Sequence, residues 1–90
     1  MFTVLWGLSA QNGLTDAWLK SDPATRSLIT FASYQIDEAL RRNPLEFGES
    51  REGQTRIGFL RPLGVEFDVD EDDRKVRVMK VWLTDAAKQR

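Results

Sequence analysis

The chain has 90 residues, 41% of them hydrophobic and 30% charged, with 13 basic against 14 acidic side chains and a net charge of −1. That suffices for one core burying roughly 60–65% of the unfolded surface and leaves no room for a second domain. The absence of cysteine and histidine excludes disulfide staples, thiol nucleophiles and the usual zinc ligands, so any catalysis must use Arg, Lys, Tyr or carboxylates. No apolar run approaches the roughly 20 residues that span a bilayer, and the opening MFTVLWGLSA lacks the basic leader of a secretory signal. The expectation is a cytoplasmic protein with no membrane partner, no metal and no cofactor. Its balanced charge gives no global drive toward nucleic acid, which would require a local basic patch.

In chain order, FTVLW at residues 2–6 is β-branched and aromatic and breaks at Gly7, the signature of a first strand. From Ser9, the expected N-cap, to Lys20, the apolar residues Ala10, Leu14, Ala17, Trp18 and Leu19 fall near helical spacing. Gly13 in that interior costs about 1 kcal/mol against alanine. After a hinge at Ser21, Asp22 caps a second helix with Pro23 at its first position. Leu28, Ile29, Ala32, Ile36, Ala39 and Leu40 form its apolar stripe, while Tyr34 sits at the stripe's edge. Arg41 and Arg42 complement the helix dipole, and Asn43-Pro44 ends the helix.

A loop, PLEFGESREGQ, follows, in which Glu46 and Glu49 read as solvated. The period then changes to two, with Ile57 and Phe59, Val65, Phe67 and Val69, then Val76 and Val78 as the core-facing members of three antiparallel strands. RPLG turns the chain between the first two strands and DEDD between the last two. Asp68, Asp70 and Asp72 match positions 1, 3 and 5 of a calcium loop, but Asp73 stands where that loop needs glycine and Met79 where it needs the closing glutamate. The acidic run is therefore read as a turn. The last strand, KVRVMKVWL, is apolar on both phases and is expected to be central or covered on both sides. Trp18 and Trp82 are expected in core or helix-to-sheet packing. The predicted fold is α+β, β-α-α-β-β-β, a helical hairpin on one face of a mostly antiparallel sheet, spanning residues 1–84 with a short tail at 85–90.

Six basic residues, Arg51, Arg56, Arg61, Arg74, Arg77 and Lys80, fall on or beside these strands. They read either as ordinary polar partners or, for Arg56, Arg61 and one of Arg77 or Lys80, as the lining of a concave sheet face that touches a phosphate or an acidic partner.

Trp6 at the end of the first strand, Ile36, Asp37, Leu40, Asn43 and Pro44 at the end of the helix pair, then Gly48, Glu49 and Ser50, Arg56, the run Pro62, Leu63, Val65, Phe67 and Val69, and finally Asp72, Arg74, Val76 and Val78 together resemble the RelE/ParE toxin superfamily over residues 2–83. The resemblance implies the toxin of a type II toxin–antitoxin or plasmid-stabilisation pair, neutralised by a cognate antitoxin. Its branches act either on DNA gyrase or as ribosome-dependent mRNA endonucleases, two functions on one fold. For the nuclease branch Arg56 matches a basic position and Arg61 is a further candidate, but Gly58 and Gly64 stand where that branch carries basic residues. VWLTDAAKQR offers no tyrosine or histidine near the end. The reading is therefore a toxin that binds its target, through candidates Arg51, Arg56, Arg61, Arg77 and Lys80. The alternatives are a divergent endonuclease or a non-toxic antitoxin-binding protein. Phe47, Leu60, Leu63 and an exposed sheet edge are the candidate contacts for the protein partner.

Overall fold

The computed structural model describes residues 1–84, and the expected tail at 85–90 lies outside them. The elements are β1 (Thr3–Trp6), α1 (Leu8–Leu19), α2 (Pro23–Arg42), β2 (Glu49–Glu52), β3 (Thr55–Leu60), β4 (Leu63–Asp70) and β5 (Lys75–Leu83). They build one five-stranded sheet in the order β1-β5-β4-β3-β2. β1 runs parallel to β5, and the other neighbours are antiparallel. The two helices cover one face, where Ile29, Ala32, Ile36 and Leu40 of α2 and Ala10 and Ala17 of α1 share a core with Val4, Leu63, Val65, Phe67, Val69, Val76, Val78 and Val81.

Asp22 caps α2 as expected: its carboxylate accepts the Thr25 N–H at 2.8 Å, and Pro23 fills the first turn. The Thr25 backbone and then side-chain hydrogen bonds hold the Asp22 carboxyl below its ordinary pKa, because both favour the charged form. At the far end, the Asp37 carboxylate, by hydrogen bond and then by charge, raises the Arg41 guanidinium above its ordinary value. Asp37 also accepts the Trp6 indole N–H at 2.9 Å, so one carboxylate ties α2 to the end of β1.

α1 begins two residues earlier than the sequence suggests. Gly7, not Ser9, is the N-cap, and it has no side chain to make a capping bond. The Gly7 N–H instead donates to the Val78 carbonyl at 2.9 Å, which carries the β1–β5 ladder into the helix. Gly13, a cost by propensity alone, is explained by packing: a Cβ there would lie 2.3 Å from the Val81 carbonyl oxygen. Only a residue without a side chain lets α1 lie this close to β5.

Three strand features differ from the sequence reading. The segment 49–52, read as loop, is the edge strand β2, every residue of it exposed, so it lacks the half-buried alternation that marks a strand. β3 has the opposite phase. Arg56, Gly58 and Leu60 stand opposite Phe67, Val65 and Leu63 on the helix side, while Ile57 and Phe59 face outward, Phe59 at 58% exposure. The reason is Phe47 from the preceding loop. Its ring fills the space over Gly58, where a Cβ would meet it at 2.5 Å, and it packs on Phe67 at 5.9 Å between centroids. In β5, Val76 and Val78 pair with Val69 and Phe67, after which the register shifts to Lys80 opposite Glu66 and Val81 opposite Val65. Met79 is the extra residue, and this bulge explains an apolar pattern on both phases. β5 is interior to the sheet but covered on one face only, since Arg77 and Lys80 are exposed.

Gly13→Ala is expected to lower stability by about 1–3 kcal/mol through overpacking, despite the gain of about 1 kcal/mol in helix propensity. A higher urea midpoint for the variant would refute the close-packing account. The Asp22 cap contributes fully above the ordinary carboxyl value of 3.8, and that contribution is lost as pH falls through the depressed folded value. Asp22→Asn, which keeps an acceptor but does not titrate, should remove this part of the acid sensitivity in unfolding curves taken between neutral and strongly acidic pH.

Candidate functional site

The open face of the sheet carries the outward residues of β3, β4 and β5. Along β5 these are Lys75, Arg77 and Lys80, and β4 sets Asp70, Asp68 and Glu66 directly opposite them in the ladder. Asp68 also accepts the Thr55 hydroxyl at 2.8 Å from β3. Every cation on this face thus has a carboxylate at cross-strand distance, an arrangement that cancels most of the field a polyanion would seek. At one end of the face Trp82 lies across Gly64, where a Cβ would come within 2.6 Å of the indole. Beyond it Trp82 meets Phe59 edge-on, with 6.3 Å between centroids and 83° between planes. Trp82 therefore packs on the sheet's outer surface, not between helix and sheet.

The arginines expected to line one concave face are dispersed. Arg56 lies on the helix side. Its guanidinium donates to the Leu45 and Gly48 carbonyls at 2.9 and 3.0 Å, holding the loop between α2 and β2 against β3. It also borders a polar hollow of about 400 Å³ shared with Gln54, Glu71 and Asp72. Arg61 is exposed in the β3–β4 turn and Arg51 on the edge strand β2, away from Arg77 and Lys80. No group of three metal-ligating side chains converges among the described residues, and the acidic run is a turn in which Asp70 accepts the Asp73 N–H at 3.1 Å.

The partner-contact candidates are also displaced. Leu63 is fully buried, and Phe47 and Leu60 are half-buried against the core, because the flipped phase of β3 turns Leu60 inward and Phe47 covers Gly58. The exposed apolar surface lies instead on the helical hairpin: Phe31 at 59%, Leu28 at 57% and Trp18 at 39% exposure. Leu28 thus falls outside the buried stripe, and Trp18 lines the outer groove between the helices with Leu14, Thr30, Phe31, Ser33 and Tyr34. Arg26 lies over the Trp18 ring at 4.3 Å and donates to the Trp18 carbonyl at 2.8 Å, closing the groove at the hinge. The signal was present in the sequence as Leu28 and Phe31, three residues apart and off the face defined by Ile29, Ala32 and Ile36.

No protein-family model matches the sequence, and no curated protein matches it. Solved structures do. A chain of the chromosomal ParDE toxin–antitoxin system from P. aeruginosa superposes with a TM-score of 0.72 at 14% identity, over 94% of this chain and 98% of that one. A chain of the RelBE2 toxin–antitoxin complex from Mycobacterium tuberculosis gives 0.69 at 19% identity, over 92% and 91%. The intact E. coli RelBE toxin–antitoxin complex gives 0.60 at 16% identity, over 94% and 99%. With a helical hairpin on one face of a mixed sheet in this strand order, the chain has the fold of the RelE/ParE toxin superfamily.

Proposed function

We propose that the protein is the toxin of a type II toxin–antitoxin pair, that it acts in the cytoplasm by binding a protein target, and that a cognate antitoxin neutralises it. The observation that carries the choice against RNA cleavage is the compensated sheet face, where Lys75, Arg77 and Lys80 each oppose a carboxylate. Phosphodiester cleavage needs uncompensated cations around the scissile phosphate and a positioned acid or base. Arg56, the residue matched to the nuclease pattern, instead spends its guanidinium on two loop carbonyls. Docking on RNA also relies on local excess positive charge. A protein target is the ParE-like alternative, with DNA gyrase the first to test.

The solved relatives include toxin–antitoxin complexes, which supports an antitoxin partner here. The groove between α1 and α2 suits an amphipathic helix, since Leu14, Trp18, Phe31 and Tyr34 give it an apolar lining on a rigid hairpin. This surface replaces Phe47, Leu60 and Leu63, which pack in or against the core, as the candidate partner contacts.

Induced expression of the chain alone is expected to arrest bacterial growth, and co-expression of the neighbouring reading frame to restore it. The purified protein should inhibit gyrase supercoiling and leave ribosome-bound mRNA uncut. Site-specific mRNA cleavage during translation would overturn the reading, and unimpaired growth with soluble protein present would favour a non-toxic antitoxin-binding role. Phe31→Ala should change stability by no more than about 0.5 kcal/mol yet weaken antitoxin binding at least about tenfold, measured by calorimetry. Arg56→Ala should cost about 1–3 kcal/mol in urea unfolding through the lost bonds to the loop and leave target inhibition intact at permissive temperature. Lost inhibition in a folded variant would return Arg56 to the functional site.

A further inference from the structure

We propose that the open sheet face is a two-fold interface onto which a second copy of this chain docks. The proposal is independent of the toxin reading and rests on how the charges of that face are arranged. β5 presents Lys75, Arg77 and Lys80 in a line, and β4 presents Asp70, Asp68 and Glu66 in the same row order beside it. A two-fold axis along the strands, between β4 and β5, turns the face over and places β5 of one copy above β4 of the other. Because the rows are aligned, Arg77 then meets the second copy's Asp68 and Lys80 its Glu66, while symmetry repeats both contacts. Such an interface is isologous: one patch complements itself.

The groups have capacity for these contacts. The ion pairs among the described residues are Lys20–Asp16, Arg41–Asp37, Arg42–Glu38 and Lys75–Asp73, and none of them crosses from β5 to β4. Arg77 and Lys80 extend into solvent, whereas Glu66 and Asp68 are half-buried. The same axis brings the two copies' Trp82 indoles, each lying across its own Gly64, side by side at one end of the face, and Phe59, at 58% exposure, and Leu5, at 42%, lie to either side. Four strands at about 4.8 Å spacing and about 3.4 Å rise per residue give a face on the order of 500 Å² per copy. About 1,000 Å² over two copies is the low end of specific interfaces, so the dimer is a reversible one. Sheets packed face to face cross at about 30°, which keeps the two central rows, Arg77 with Asp68 and Lys80 with Glu66, nearest to register.

Sedimentation velocity on the full chain, from micromolar to millimolar concentration, tests this at ionic strengths of about 0.1 M and about 1 M, where the Debye length falls from about 10 Å to about 3 Å. The expected result is a concentration-dependent dimer whose association constant drops at least about tenfold at the higher salt. Two charge-altered chains give the decisive comparison, each first checked for folding by circular dichroism: one carries Arg77→Glu and Lys80→Glu, the other Asp68→Lys and Glu66→Lys, the residues that face them across the two-fold. Each alone should be monomeric, and an equimolar mixture should recover the dimer. A natural chain that stays monomeric throughout overturns the proposal, as do dimers of either altered chain alone or a mixture that fails to associate.

Discussion

The position of the helical layer depends on the close approach of Gly13 to the Val81 backbone. β5 is an interior strand, hydrogen-bonded to β1 on one side and β4 on the other, so α1, by resting on β5 without an intervening side chain, is referenced to the strand that joins β1 to the meander. α2 is fixed by other means. It buries Ile29, Ile36 and Leu40, each contributing about 1.5–3 kcal/mol of apolar burial, and its Asp37 bridges Trp6 and Arg41. The hairpin hinge adds Arg26, whose bonds to the Trp18 and Leu19 carbonyls satisfy groups left open at the end of α1. The covered face is thus over-determined, and the apolar residues left over fall on the outward side of the hairpin.

The two remaining surfaces differ in chemistry for reasons that lie in the strands. From Glu66 to Asp70 and from Lys75 to Val78, β4 and β5 alternate between apolar core residues and outward charges, and antiparallel pairing brings opposite signs together row by row, Lys80 joining Glu66 beyond the bulge. A face built this way discriminates by pattern, because its net field is small and its local contacts are signed. The hairpin groove has the reverse character, with exposed aromatic and leucine side chains and few charges. A fold shared by proteins of different activity can carry either surface without changing its core.

Much of this was legible in sequence. The second helix was readable from its cap, proline and stripe, and β4 and β5 from their alternation, because in each case the local signal and the tertiary demand agree. β2 was not readable, since an edge strand with no buried residue has no period. The phase of β3 was misread because Ile57 and Phe59 look like core. The deciding residue, Phe47, lies outside the strand and takes the space above Gly58 that a side chain would have filled. A shift of one residue moves every side chain to the other face, so this single error dispersed the predicted arginine cluster and turned Leu60 inward. Leu63 was read as part of the RPLG turn and assigned to the surface, whereas it opens β4 and belongs to the core. Gly13 and Gly64 were visible only as a cost or a gap, because close contacts with Val81 and Trp82 depend on residues far along the chain.

The parallel pairing of β1 with β5, which sets Thr3 beside Lys75, also bears on how the molecule comes into being. The β3-β4-β5 meander joins neighbours in sequence and can form early, whereas the β1–β5 ladder must close almost the whole chain, a contact whose entropic cost is met late. During synthesis the first strand therefore emerges long before its partner exists. Val4, Trp6 and the Asp37 bridge have no finished sheet to join until β5 has cleared the ribosome. Docking surfaces that require the complete sheet are assembled only after β5 has been synthesised, so the order of synthesis delays the appearance of the folded domain.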